Sequence, residues 1–423
     1  MLTDKPQLFL TQREFILFTL FLLFILMARL GVVYTEYRTF ITKPFYYVYV
    51  DVIESHFKTK KEKSYQVLKV KSTQGLTFYT TTYFKKSFKN SSLRLQLFPN
   101  ESISFQGYLG IFYIKSRIKK VIYAPANFKK KLLDAIASEH TSPLVQSFFQ
   151  AIFFATPLSK ELREKISLLG VSHLVALSGF HLGILWGVLY GILSFFYGFM
   201  QQKFFPYRYS YLDIGVLVLL ILCYYIWFVG SPASLVRSYG MLLVGWFFLL
   251  LGVELVSFRL LSIIALVLMI LFPSLVVSLG FWFSIFGVFY IFLLLSYTKK
   301  LSQWLVMIFV IPFGIFVLML PLVHTIFPMI SSYQLLSPFL SLGFIIFYPL
   351  EILLHSIGKG SVLDGMLLKL FALPYKFTTH TLPLNMTIGY ILLSLVAIKY
   401  KSMVILLLLL SLSYMVYLFA FVK

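Results

Sequence analysis

The stretch IGVLVLLILCYYIWFV, Ile214 to Val229, runs sixteen residues without a charge. Wound as an α-helix at about 1.5 Å per residue, a run of this kind approaches the thickness of a hydrocarbon bilayer core, about 30 Å. Phe15–Leu30 and Met403–Val422 repeat the pattern, and roughly ten such segments can be traced along the chain. Hydrophobic residues make up 59% of the 423 and charged residues only 12%, whereas soluble domains carry about 25% charged residues. One soluble core does not account for these segments. The expected fold class is therefore an α-helical polytopic membrane domain of about ten spans, joined to a small extracytoplasmic all-β part.

The first apolar run is longer than the apolar region of a signal peptide, and no small-x-small cleavage site follows it. Residues 1–42 are read as a tail and a retained first span. The single cysteine, Cys223, lies inside an apolar segment and excludes an intrachain disulfide.

Residues 43–122 differ in kind. Apolar and polar residues alternate with period two in Tyr46–Val52, Tyr65–Lys71, Leu76–Thr80, Leu93–Leu97 and Ile103–Tyr113, with Gly, Pro, Asn and Ser between the runs. Five or six short strands in this length suit a small closed barrel, and an OB-like barrel is the expected form. Between Lys43 and Lys120 there are 15 Lys and Arg against 4 Asp and Glu, 15 − 4 = +11, half of the total net charge of +22. Aromatic residues (Tyr46, Tyr47, Tyr49, Tyr79, Tyr83 and Phe84) are interleaved with the lysines. Cations for phosphates and aromatic faces for bases are what unspecific binding of single-stranded nucleic acid requires. Lys69, Lys71, Tyr79, Tyr83, Lys85 and Lys86 are the expected contacts; a merely solvated basic surface is the plainer alternative.

Residues 123–169 read as amphipathic helices. Phe128, Leu132, Leu133 and Ile136 recur at helical spacing, Ser142-Pro143 and Ser159 mark helix starts, and Phe148, Phe149, Phe153 and Phe154 load one face. Such helices lie in a membrane interface or pack on the β domain. Residues 170–423 form the membrane domain, with spans expected near 171–199, 212–229, 233–252, 259–277, 279–297, 303–321, 335–355, 385–398 and 402–422. Lys203 and Arg208, Arg259, and Lys299 and Lys300 fall on one side, which the positive-inside rule makes cytoplasmic and which leaves the β domain outside. Lys399 and Lys401 land on the other side. A re-entrant segment near 361–377, or a short hairpin of the last two spans, would account for them.

One segment stands apart: GVSHLVALSGFHLG, Gly170 to Gly183, places two histidines and two hydroxyls in apolar surroundings. Polar groups at membrane depth are costly and face a cavity or a partner helix. Ser178-Gly179 is the expected break point, and a broken helix is tolerated where it lines a water-filled path. The alternative is that His173 and His181 only bond neighbouring helices.

GVSHLVALSGFHLGIL resembles the signature of the ComEC competence channel family, whose usual form is close to G-x-S-H-L-x-A-x-S-G-x-H. YIWFVGSPASLVR (Tyr225–Arg237), PSLVVSLGFWFS (Pro273–Ser284), and Pro321, Phe327, Pro338 and Pro349 are similar to later stretches of that family, so the resemblance covers roughly residues 40–400. It implies a channel in the bacterial inner membrane that passes single-stranded DNA to the cytoplasm during natural transformation. His173, Ser178, Gly179 and His181 would then occupy signature positions and Arg237 that of the family's arginine. Read physically, Arg237 contacts a passing phosphate or snorkels to the interface. The implied partners are single-stranded DNA, the lipid bilayer, a periplasmic DNA receptor and cytoplasmic single-strand-binding recombination proteins, with self-association left open.

Many members carry a metallo-β-lactamase-like domain at the C-terminus. This sequence ends at Lys423 after a span, and His56, His140, His173, His181, His324, His355 and His380 show no metal spacing. No G-x-x-x-x-G-K-[ST] loop is present. The expectation is therefore a channel and not an enzyme, with no cofactor, no metal and no catalytic residue. Two other classes stay open. An intramembrane serine hydrolase would use Ser178 with His181 or His173. A secondary transporter of a small solute would use the broken helix, but no inverted repeat is visible and the basic β domain would have no role.

Overall fold

The computed structural model describes residue 9 and residues 11–421, except 61–62, 85–87, 89–90, 124–127, 205, 253–255 and 375. Lys85 and Lys86 therefore lie outside the described residues. The chain is mostly helical with a small N-terminal β-sheet, and it divides into two units.

The first unit holds residues 1–131 and 259–282, with 252–254. It opens with α1 (Gln12–Thr42), started by a capping box. Thr11 accepts from the Glu14 N–H, and the Glu14 carboxylate accepts from the Thr11 N–H. Such a box satisfies two amides that have no partner within the helix. Phe24 and Met27 face outward from α1, as expected where the surrounding medium is apolar. Six strands follow: β1 (Tyr46–Lys60), β2 (Lys63–Ser72), β3 (Thr77–Thr82), β4 (Ser91–Phe98), β5 (Ile111–Tyr113) and β6 (Lys115–Tyr123). They are hydrogen-bonded in the order β5-β3-β2-β1-β4-β6. Only Ile114 separates β5 from β6, so both ends of the sheet meet on one run of chain.

Strict alternation makes one face of this sheet a core. Val48, Val50, Leu68, Val70, Phe78, Leu93, Leu95 and Leu97 are buried inside it, and Tyr37 and Phe40 from the last turns of α1 join them. Tyr37 donates to the Ile103 carbonyl at 2.7 Å. Two features differ from the sequence expectation. Ile103–Tyr113 is not one strand: Ser104 caps a short helix, α2 (Phe105–Leu109), by accepting the Gly107 N–H. Strands β1 and β2 also run further than the alternation indicates, and they stay paired out to Lys60 opposite Lys63. A bulge between Val52 and Glu54 marks where the hairpin arm begins.

The second unit holds 132–251, 255–258 and 283–423. Its first helices are α3 (Phe128–Glu139), α4 (Pro143–Phe154), α5 (Lys160–Leu168) and α6 (Ser172–Val175). Next come α7 (Gly179–Phe204), α8 (Ser210–Val229) and α9 (Ala233–Leu250). α10 (Phe258–Leu271) and the start of α11 (Leu279–Tyr297) cluster with the first unit. α12 (Gln303–Leu305) runs through a π turn at Val306–Val310 into α13 (Ile311–Ile326). The π turn comes just before Pro312, which cannot donate a helical bond. The chain then continues with α14 (Ser337–Ser356), α15 (Asp364–Phe371), α16 (Leu384–Val396) and α17 (Lys401–Val416).

Seven helices among the described residues are long and apolar enough to cross a membrane: Gln12–Thr42, Gly179–Phe204, Ser210–Val229, Leu279–Tyr297, Gln303–Ile326, Ser332–Ser356 and Lys401–Phe421. Of the segments expected to span, those at 233–252, 259–277 and 385–398 fold as shorter apolar helices. At 1.5 Å per residue a helix of about 14 residues reaches roughly 20 Å, short of a bilayer core. Residues 361–377 hold the short α15, and α16 and α17 form an antiparallel hairpin.

The helices at 123–169 carry the expected start signals and build part of the second unit's core. Ser142-Pro143 does begin α4, and Ser159 does cap α5 by accepting from the Leu162 N–H. Val145, Phe148, Phe149, Ile152, Phe153 and Phe154 are buried within the second unit, against α5, α6, α14 and α15. The phenylalanines recur every three to five residues and so surround most of the helix, and a helix apolar nearly all round belongs in a core. In the first unit, Phe78→Ala should cost about 3–5 kcal/mol. Limited proteolysis of the full chain should then cut within 46–123 while the membrane helices keep their protection; unchanged protection of the sheet would contradict this core.

Candidate functional site

In the second unit, the segment from Gly170 to His181 is not one helix. Helix α6 ends at Val175, Ala176–Ser178 are non-helical, and α7 starts at Gly179. The break expected at Ser178-Gly179 falls here, with Ser178 as the N-cap and Gly179 as the first helical residue. Ser178 Oγ accepts from the Phe180 N–H at 3.3 Å, and His181 Nδ1 accepts from the Ser178 N–H at 3.3 Å. This is a capping box with histidine in the place usually held by Glu or Gln. His181 is fully buried, its ring edge-to-face with Phe344 and Tyr348 of α14 at centroid distances of 5.1 and 4.9 Å.

Ser178 Oγ and His181 Nδ1 also lie 3.3 Å apart, beside the backbone amide that the same Nδ1 accepts.

Two neighbouring helices clamp the break. From α9, Ser234 Oγ donates to the Leu177 carbonyl at 2.6 Å, which satisfies an acceptor that the break leaves exposed. Ser238, one turn on, stands so close that a Cβ on Gly179 would meet its Oγ at 2.9 Å. Gly179 is thus required by close approach, as at other small-residue helix contacts in membranes. Arg237 lies on the same face of α9, three residues after Ser234 and one before Ser238. From α14, Ser337 donates to the Gly170 carbonyl at 3.0 Å, and Ser341 Oγ lies 3.2 Å from His173 Nε2. Gly170 has φ +69°, and a Cβ there would press on Gln334. His173 is exposed and His181 buried, and they meet α14 about one turn apart, His173 at Ser341 and His181 at Phe344 and Tyr348. Ser234, Ser238, Ser337, Ser341 and Gln334 escape sequence reasoning; serines spaced four apart in apolar helices are the only signal they leave.

In the first unit the sheet's outer face carries the residues that alternation turns away from the core. Arg94 is the centre of one group: its guanidinium lies 5.2 Å from the ring of Tyr47 and 5.8 Å from that of Tyr49. The two rings are 46% and 48% exposed, so they present faces and not edges of a core. Lys120 of β6 pairs with Arg94 in register. A second row reads Glu54, Lys69, Tyr79 and Tyr113 across β1, β2, β3 and β5. There Lys69 Nζ lies 5.9 Å from the Tyr79 ring. Lys71 pairs with Asp51, and Tyr83 stands exposed just past β3. Tyr46 is a partial exception: it packs against the core and bonds Gln74. Arg94 was not singled out from sequence, because one arginine in a leucine-rich strand gives no periodic signal of its own.

A sequence model of the competence protein family matches residues 154–422, which include the broken segment and both helices that clamp it. No curated protein and no solved structure matches the chain. The family match spans well over half of the sequence and begins at the last residue of α4; the chain belongs to the competence protein family, as a ComEC-type member.

Proposed function

We propose that this protein passes single-stranded DNA across the bacterial inner membrane during natural transformation. Family membership supports a role in DNA uptake. The observation that carries the finer reading is the break at Ala176–Ser178, whose freed backbone groups are met by hydroxyls from α9 and α14. Irregular backbone at membrane depth is tolerated where protein or a water-filled path surrounds it, and a strand of phosphates needs such a path. Arg237, on the face of α9 that meets the break, is the cation for a passing phosphate.

The β-barrel is the collecting surface. Its strand order, closed on residues 111–123, supports an OB-like fold. Arg94 between Tyr47 and Tyr49, with Lys69 beside Tyr79, supplies the alternation of charge and stacking faces that single strands bind. The loops bearing Lys203, Arg208, Lys299 and Lys300 favour the cytoplasmic side, which puts the barrel in the periplasm. A periplasmic receptor would hand over the DNA, and cytoplasmic single-strand-binding recombination proteins would receive it. In this reading the chain is a channel that performs no catalysis itself.

The decisive experiment adds fluorescent double-stranded DNA to a strain lacking the gene. Label should accumulate between the two membranes, and the wild-type gene should restore entry to the cytoplasm. Normal entry without the gene sinks the DNA-channel reading and returns the solute-transporter and hydrolase readings to the front. Gly179→Val should insert normally yet fail to restore entry, because the added carbons must displace Ser238 at a cost of about 1–3 kcal/mol. His181→Ala and Arg237→Ala should also lower entry at normal protein levels; full entry in both removes them from the path. For the barrel, Arg94→Ala should weaken oligonucleotide binding about equally for all sequences and reduce the salt slope by about 1. A slope identical to wild type would take Arg94 out of the interface.

A further inference from the structure

Two histidines that the DNA-channel reading does not use face each other inside the second unit. His140 follows the last residue of α3, and His355 lies near the end of α14. Their Nε2 atoms are 3.0 Å apart. Behind each ring stands a carboxylate. His140 Nδ1 lies 2.9 Å from Asp364 Oδ1, at the start of α15. His355 Nδ1 lies 2.7 Å from the Glu351 carbonyl and 3.3 Å from Glu351 Oε2, one turn back on α14. His140 is 4% exposed and Glu351 0%. Phe149 stacks on the His140 ring at 4.6 Å, and Phe153 meets His355 edge-on at 5.1 Å.

Proton counting decides what this chain of groups holds. A backbone carbonyl only accepts, so His355 Nδ1 carries a hydrogen. If Asp364 is ionised, it too only accepts, so His140 Nδ1 carries one as well. Two neutral rings of that tautomer would then point bare lone pairs at each other across 3.0 Å. The contact becomes a bond only when one Nε2 carries a further proton. Moving a proton from His140 Nδ1 onto Asp364, with the shared proton on His140 Nε2, leaves both rings neutral and the same total. In either arrangement the site contains one proton more than two neutral imidazoles and two carboxylates. We propose that His140, His355, Asp364 and Glu351 form a buried proton-binding site, with the bound proton held between the two Nε2 atoms.

The surroundings favour a proton over a metal ion. Imidazoles backed by carboxylates also occur around zinc, but zinc needs three or four ligands. Here only two nitrogens converge, and the rest of the wall is Phe149, Phe153 and Gly360. A Cβ on Gly360 would come within 2.5 Å of His355 Nε2, so the backbone itself closes that side. Among the described residues no group of three or more His, Cys, Asp or Glu is placed to hold a metal.

The ionisable groups on the surrounding elements are few. From the end of α3 they are His140 and Glu139, whose Oε2 accepts the Gly360 N–H at 2.6 Å. From α14 they are Glu351 and His355, and from α15 Asp364 at its start and Lys369 in its last turn. Helix α4 brings only Phe149, Phe153 and Gln146, whose amide donates to the His140 carbonyl at 2.8 Å. Three carboxyl groups thus surround one extra proton, and ionisable clusters inside membrane domains mark functional sites. The site is also built on α14, the helix whose Ser337, Ser341, Phe344 and Tyr348 contact the broken segment. Loss of the proton sets two lone pairs against each other and loosens the tie between His140 and that helix.

The test uses the full chain, labelled with 15N-histidine, in lipid nanodiscs. Nitrogen NMR over a range of pH should show one pair of rings sharing an N–H···N bond, lost in His140→Gln and in His355→Gln. Asp364→Asn keeps an acceptor for His140 but removes a negative charge. It should make the shared proton leave at a lower pH, by about one unit or more. A pair that shows two bare Nε2 atoms at every pH overturns the proposal. So does stoichiometric zinc in the purified protein whose removal changes the same two resonances. An Asp364→Asn protein that folds but releases the proton at the wild-type pH overturns it as well. None of these readouts depends on DNA, so failure here is distinct from failure of the channel reading.

Discussion

The hydroxyl of Ser234 bonded to the carbonyl of Leu177 expresses the constraint on which the membrane unit depends. In hydrocarbon no water waits to satisfy a backbone group, so a helix can be broken only where the protein itself supplies the missing partners. The break between α6 and α7 meets that demand from three directions. Ser178 and His181 close the start of α7 reciprocally, Ser234 takes the carbonyl of the break, and Ser337 takes that of Gly170. The same partners that make the irregular backbone tolerable also tie it to α9 and α14. The polar groups at the break are therefore structural twice over: removing one both frees a backbone group and loosens a helix contact.

The β-sheet obeys a different constraint with a similar result. Period-two alternation sends Val48, Val50 and Leu95 inward and leaves Tyr47, Tyr49 and Arg94 outward by geometry alone. Once the core is chosen, the outer row is chosen with it. A cation placed between two aromatic rings is held without a deep pocket, which suits a ligand recognised by its charge and its flat faces and not by its sequence.

Much of this was legible in the amino-acid order, for identifiable reasons. Apolar runs such as Ile214–Val229 carry their own structure, because their length and lack of charge admit few alternatives. The core strands at Val48–Val52 and Leu93–Leu97 were readable because alternation is a local signal. What was not legible depended on partners far along the chain. Ser104 turns an alternating stretch into a helix at Phe105–Leu109, and the cap outweighs the weak β signal of five residues. Ser234 and Ser337 look like ordinary serines until the fold brings them to Leu177 and Gly170. His140 and His355 lie 215 residues apart, and no spacing rule joins them. The ends of short helices were also hidden, since hydropathy alone does not show that α10 and α16 stop after 14 and 13 residues.

Helix α4 has an implication for how the chain is made. Its twelve residues are too few to rest stably across a bilayer, yet Phe149 and Ile152 are among the most deeply buried side chains in the protein. The walls that bury them include α14 and α15, which leave the ribosome roughly ten seconds or more later at ordinary rates of synthesis. Until then Phe148, Phe149 and Phe153 lack the Phe347, Tyr348, His355 and Phe371 rings that cover them. The segment just ahead of the family's shared domain is thus a guest that waits for its host, and closure of the second unit is set by the last third of the polypeptide to arrive.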